Sequence, residues 1–222
     1  MNILAIETAT PATAIALRTR DGRQVEHVLD GGLRHTEVLM PGVAALVAEM
    51  GLTPRDLDRV VVDRGPGLFT GLRVGLATAS SLAAALGCDL VGVTSLELLA
   101  HGAAAEGTRG PVLCVVDGRR GEVFVQLFDV TDDVVALNEP RVTTASEVVA
   151  AWTGAAPTLT GDGALRYAAE FAALSQSRGA RVPSVAAALA LGASRAPSAR
   201  VVPLYLREAD AVANFSTRER SP

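Results

Sequence analysis

One opening pattern occurs twice in this chain. The apolar run Ile3-Leu4-Ala5-Ile6 ends on an acidic residue, Glu7, and Thr13 to Thr19 reads as the hairpin partner of that strand. Past the midpoint, Val112 to Val116 ends on Asp117. Gly118-Arg119-Arg120-Gly121 then turns the chain back into Glu122 to Val130. Each hairpin is followed by helical segments. The repeat is architectural, with little residue identity, and it predicts an α/β chain of two lobes, each a mixed sheet with flanking helices.

The segments between the hairpins fit that plan. Gln24 to Asp30 reads as a third strand and Thr36 to Met50 as a helix, with Leu39, Val43, Leu46, Val47 and Met50 on one face and Pro41 near its start. Thr53-Pro54-Arg55-Asp56 opens a short helix, Thr53 capping it. Arg59 to Asp63 is a strand, Gly65 to Gly71 a loop, Leu72 to Leu86 a helix and Leu90 to Val93 a strand. Ser95 then caps a helix reaching Ala105. The polar, glycine-rich stretch 106–111 marks a boundary, so residues 1–105 form an N-terminal lobe and 111–208 a smaller C-terminal lobe. In the second lobe, helices are expected at 146–152, 164–174 and 185–194, and strands at 157–160 and 201–206. Residues 209–222 read as a flexible tail, with a short helix allowed at 209–213.

Composition narrows the chemistry. Hydrophobic residues make up 49% of the chain and charged ones 20%, as in an ordinary globule, while aromatics are only 4%, so Ala, Val and Leu must build the core. The net charge of −4 lacks the basic footprint of a chain that grips nucleic acid alone. All 20 basic residues are arginine, which excludes a Walker lysine, a Schiff-base lysine and a Ser–Lys pair. Cys88 and Cys114 have apolar neighbours and no CxxC spacing, as expected of small buried thiols in a reducing compartment. The N-terminus reads as a strand, without a basic start or cleavage site, and no apolar run reaches the ~20 residues of a membrane helix.

Several local patterns carry chemistry, each beside a plainer reading. Arg64-Gly65-Pro66-Gly67-Leu68-Phe69-Thr70-Gly71 lies between a strand and a helix. Gly65, Gly67, Thr70 and Gly71 either cradle a phosphate at the helix N-terminus or make a tight turn. No Lys-Ser or Lys-Thr follows Gly71, so it is not a P-loop. Gly71, Gly75, Ala79 and Ala83, spaced by four, form one smooth stripe. It packs on this chain's own sheet or offers a flat face to a partner helix, with His35, Leu39 and Val43 of the preceding helix completing that face. His27, His35 and His101 are isolated, unlike clustered metal ligands. Glu7, Asp63, Asp117 and Asp162 sit at strand ends or turns, with nothing in the sequence to bring two of them together. Arg119-Arg120 is a docking point or a solvated hairpin tip.

Five of these segments, in order along the chain, resemble one family. Ile3 to Thr10, His35-Thr36 with Leu39-Met40-Pro41, Arg64 to Gly75, Val116 to Phe124, and Pro203-Leu204-Tyr205-Leu206-Arg207 are similar to the signatures of TsaB (YeaZ) proteins. The resemblance implies an actin/Hsp70/sugar-kinase-like (ASKHA) fold and a non-catalytic role in forming N6-threonylcarbamoyladenosine (t6A) at position 37 of tRNA. It further implies a TsaD-type transferase partner held through the helices at 36–50 and 71–86, a TsaE-type ATPase docking on the pair, and ATP or ADP near their junction. A cytoplasmic location and contact with tRNA only through the complex are expected, and whether the isolated chain is a homodimer or a monomer is left open by the sequence. TsaD holds a metal through an H-x-x-x-H pair. An ungapped count from Gly92-Val93 puts those positions on Ser95 and Leu99, and the chain contains no H-x-x-x-H. The rival classes are a stand-alone nucleotide-binding or ATP-hydrolysing actin-fold protein, an inactive glycoprotease-like homologue, and a self-associating module with another client.

Overall fold

The structure, a computed structural model, describes residues 1–29, 34–175, 179–180 and 182–207. Its first half runs β1 (Ile3–Glu7), β2 (Thr13–Arg18), β3 (Gln24–Leu29), α1 (His35–Glu49), β4 (Arg59–Asp63), α2 (Phe69–Leu86), β5 (Asp89–Val93) and α3 (Ser95–Ala105). The second runs β6 (Gly110–Arg119), β7 (Glu122–Val130), β8 (Val134–Ala136), β9 (Arg141–Thr144), α4 (Ala145–Ala151), β10 (Thr158–Thr160), α5 (Asp162–Arg166), α6 (Ala168–Phe171) and α7 (Val185–Ser194).

The first sheet has the order β3-β2-β1-β4-β5. β1 pairs antiparallel with β2 and parallel with β4, so the N-terminal strand is central. Every residue of β1 and β4 is buried, because both faces of the sheet are covered. On one face α1 and α2 pack Leu39, Leu46, Leu76 and Ala79 against Leu4, Ile6, Val60 and Val62. On the other, α7 sets Val185, Ala188 and Leu189 against Ile3, Ala5, Ala16 and Val61. The alanines on that face let α7 approach closely, and a Cβ on Gly192 would overlap the Val61 side chain.

The second sheet has the order β10-β6-β7-β8, and β9 pairs with the first half of β7 while β8 pairs with the second. α3 covers one face through Leu96, Leu99, Ala100 and Ala103. α4, α5 and α6 cover the other, with Val148, Ala164 and Phe171 lying over Leu113, Val115 and Val123.

Packing therefore does not divide the chain at residues 106–111. α3, expected in the first lobe, covers the second sheet, and α7, expected in the second, covers the first. Leu98 of α3 lies in the first core while Leu96 and Leu99 lie in the second.

Other expectations shift in detail. Thr94, not Ser95, caps α3: its Oγ1 accepts the Glu97 N–H at 3.1 Å, and Glu97 accepts the Thr94 N–H at 2.8 Å. Pro41 lies well inside α1, where its exposed flank leaves the freed carbonyl to water. The helix expected at 164–174 breaks at Tyr167 into α5 and α6, and starts at Asp162. β8 and β9 were not foreseen. Residues 201–206 are extended without a ladder, tied by the Leu204 N–H to the Arg64 carbonyl at 2.7 Å. Asp30, the helix allowed at 209–213 and the tail at 209–222 lie outside the described residues. α2, with 18 residues, is long and apolar enough by composition to cross a membrane, yet its inner face packs on the sheet.

Arg59 fastens α7. Its side chain, 9% exposed, pairs with Asp89 at 2.7 Å and donates to the carbonyls of Gly192 and Arg195. Arg195 in turn pairs with Glu97 of α3 at 2.9 Å. Charge-assisted bonds of this kind stabilise by about 1.5–3 kcal/mol each. Arg59→Met, which keeps the aliphatic stem, is expected to cost at least ~2 kcal/mol and to lower Tm by about 4 °C or more in calorimetry. An unchanged Tm would show that α7 is held by apolar packing alone.

Candidate functional site

Acidic residues at strand ends and turns come together in two pairs. Glu7 and Asp63 close the neighbouring strands β1 and β4, both fully buried. Glu7 accepts the Thr10 N–H at 3.0 Å and the Thr10 hydroxyl at 3.1 Å. Asp63 accepts the Gly65 N–H at 2.7 Å and the Ser95 hydroxyl at 2.9 and 2.8 Å. Burial raises both acids above the carboxylate range, and the Asp63 charge raises Glu7 further. In the second lobe, Asp162 accepts the Asp117 N–H at 3.0 Å. The Asp117 carboxylate pairs with Arg119 at 3.1 Å and Arg166 at 3.5 Å. Burial raises Asp162 as well. Sequence alone gave no reason to expect either pairing, because each depends on strand order.

The glycine loop faces inward. The Leu68 N–H donates to the Ala9 carbonyl at 2.7 Å, and the Thr8 hydroxyl donates to the Gly71 carbonyl at 2.8 Å. A Cβ on Gly67 would overlap the Ala9 carbonyl oxygen, one on Gly71 that of Thr8, and one on Gly75 the Thr8 hydroxyl. Of the residues in the phosphate reading, Gly65 and Gly71 are buried, Gly67 is half-buried and Thr70 is exposed, and the Gly65 N–H is bonded to Asp63.

The partner-face assignment is corrected by the same packing. His35, Leu39, Val43, Gly71, Gly75, Ala79 and Ala83 are all buried within this chain. His35 accepts from or donates to Thr13 Oγ1 at 2.6 Å through Nδ1. The smooth stripe is what lets α2 lie close on β1 and β4. A second row, two residues out of phase, faces outward: Arg73, Ala77, Ser81 and Ala85 are exposed, beside Met40, Ala44, Ala45 and Ala48 of α1. Between these rows runs a shallow groove of about 330 Å³ that includes Thr36, Met40, Val74, Ala77 and Thr78.

A larger cleft of about 560 Å³ opens between the lobes. It is lined by Pro66 to Phe69, Arg73, the turn at 117–120 and Leu204 to Arg207. The Phe69 and Tyr205 rings stack with centroids 5.5 Å apart and planes at 32°. The Arg73 guanidinium sits 3.7 Å from the Phe69 centroid and donates to the Tyr205 hydroxyl at 3.4 Å. Arg207 donates to the Gly118 carbonyl at 3.0 Å and pairs with Glu122. The sequence reading noted these segments as signatures without assigning Phe69, Arg73, Tyr205 or Arg207 to a site.

Two mixed sheets, each opening with a hairpin that ends on a carboxylate and joined across a cleft, define an actin/Hsp70/sugar-kinase-like protein. Residues 30–156 match the family model TsaD: tRNA N6-adenosine threonylcarbamoyltransferase. An uncharacterized protein of Mycobacterium tuberculosis is 39% identical over 213 residues, spanning 94% of this chain and 93% of that protein. The tRNA threonylcarbamoyladenosine biosynthesis protein TsaB of Bacillus subtilis is 36% identical over 129 residues, 58% of this chain and 55% of that one. YeaZ from Pseudomonas aeruginosa superposes with a TM-score of 0.81 at 26% identity, covering 92% of this chain and 99% of that structure. The chain belongs to the TsaB (YeaZ) family.

Two outcomes test this geometry. Gly71→Ala should lose about 1–3 kcal/mol through overpacking against Thr8, seen as a Tm lowered by roughly 2–4 °C per kcal/mol. A neutral effect would mean that the contact can relax. Glu7 is raised from 4.5 to about 8, so its folded state favours the protonated form. Its contribution is fully present below about pH 4.5 and is lost as pH rises towards 8. Glu7→Gln should flatten the fall of Tm between pH 5 and pH 8, and an unchanged slope would contradict the assignment.

Proposed function

We propose that this chain is a non-catalytic subunit in the formation of t6A at position 37 of tRNA. In this reading it holds a TsaD-type transferase through the outer faces of α1 and α2, a TsaE-type ATPase docks on the pair, and ATP or ADP lies near the junction. The chain reaches tRNA only within that complex, in the cytoplasm. Relatives named for threonylcarbamoyladenosine biosynthesis support the pathway.

The observation that carries the non-catalytic part is the fate of the two positions counted onto the TsaD metal pair. Ser95 donates its hydroxyl to the buried Asp63, and Leu99 is 1% exposed in the second core. Both side chains are buried. The docking part rests on the alanine- and serine-rich outer row. Small side chains let helices approach closely and increase contact per residue.

Ala77→Glu places a charge on that row without touching the core, since Ala77 is exposed. It is expected to leave Tm within about 2 °C and to weaken capture of the cognate transferase by tenfold or more, as central interface residues do. Calorimetry against purified TsaD reads the affinity, and t6A formation on tRNA with and without this chain reads the function. Full-strength capture by the variant would move the docking face elsewhere. ATP turnover by the chain alone would favour the enzymatic rival.

A further inference from the structure

We propose that a pocket at the edge of the first sheet binds a small oxyanion of the phosphate class, inorganic phosphate or pyrophosphate. The pocket shares no lining residue with the cleft between the lobes or with the outer groove of α1 and α2. The proposal therefore stands apart from the docking of a transferase.

β5 ends the first sheet, and residues 195–204 lie along it. The Ser198 N–H donates to the Leu90 carbonyl at 2.8 Å and the Arg195 guanidinium to the Gly92 carbonyl at 3.1 Å. Between this segment, the end of β5 and the first turn of α3 is a pocket of about 270 Å³. Three arginines line it, Arg64, Arg195 and Arg200, and one acid, Glu97. Arg195 pairs with Glu97 at 2.9 Å, so their charges cancel. Arg64 and Arg200 make no ion pair among the described residues, and these two guanidiniums set the sign of the pocket. The neighbouring Asp63 is fully buried and already accepts from Gly65 and Ser95.

The walls are held in place before any ligand arrives. Arg64 is half-buried, and its Nη1 donates to the Val202 carbonyl at 3.2 Å, its one side-chain bond among the described residues. Its stem crosses Gly92, where a Cβ would lie 3.2 Å from the Arg64 Cδ and would overlap the Val201 side chain. Glycine weakens a strand interior and often marks a close approach, and here it admits two residues that frame the pocket. Arg200 and Ser198 are exposed at the rim, and the Ser198 hydroxyl, without a bond among the described residues, adds a neutral donor. Guanidinium forks match phosphate oxygens two at a time. Two of them in one concavity concentrate positive potential, in a chain whose net charge is −4. Pockets for whole small molecules usually hold roughly 300–1,000 Å³. This one is smaller and suits an anion of a few heavy atoms.

Titration calorimetry of the purified chain with pyrophosphate, inorganic phosphate and a single-stranded RNA heptanucleotide, at matched ionic strength, tests this. Pyrophosphate is expected to bind one to one and more tightly than phosphate, with affinity falling as salt rises. Arg200→Gln, at an exposed position, should weaken pyrophosphate binding about tenfold while Tm stays close to wild type. Arg64→Gln should weaken it at least as much, and if that variant also lowers Tm, Arg200→Gln alone decides. The proposal is overturned if neither anion binds saturably or if Arg200→Gln keeps wild-type affinity. Equal weakening by Arg73→Gln would place the anion in the cleft between the lobes, and tighter binding of the heptanucleotide than of pyrophosphate would make the surface a reader of RNA strands. Either result also overturns it.

Discussion

α2 lies so close to the turn after β1 that its glycines have no room for a side chain. Gly67, Gly71 and Gly75 lie against Ala9 and Thr8 with no room for a side chain, and the Thr8 hydroxyl bonds the Gly71 carbonyl. This contact fixes where α2 starts, which of its faces is buried and therefore which row of small residues remains outside. It also sets Phe69 and Arg73 at the cleft mouth, since both belong to the first turns of the same helix. Loop, outer helix row and cleft all follow from one glycine-mediated contact.

The acidic strand ends extend the same constraint. Asp63 receives the Gly65 N–H and the Ser95 hydroxyl, so the exit of β4 and the entry of α3 meet on one buried carboxylate. Glu7 holds the turn at Thr10 in the same way. These acids act as structural anchors of the turns.

Much of the fold was legible because its signals are local. Strands at Arg59–Asp63 and Glu122–Val130 and the helix at Val185–Ser194 have the bounds read from pattern and punctuation. The duplicated hairpin gave the two sheets. What was not legible depends on strand order and on which side of a helix is inward. The stripe at Gly71, Gly75, Ala79 and Ala83 has the same spacing as Arg73, Ala77, Ser81 and Ala85, and only contact with Thr8 decides between them. β8 and β9 are three and four residues long, too short to show periodicity. Phe69 and Tyr205 are 136 positions apart in the chain, and their meeting is a property of the tertiary structure.

α3 has a consequence for motion. Leu98 is embedded in one hydrophobic mass while Leu96 and Leu99 are embedded in the other, on a single helix of 11 residues. Its first turn is also tied, through Glu97 and Arg195, to the end of the helix that crosses back. A wide swing of one half against the other would have to pull leucines out of a packed interior. The two halves therefore form a jaw that is pinned at its pivot, and the gap between them is a slot of set width.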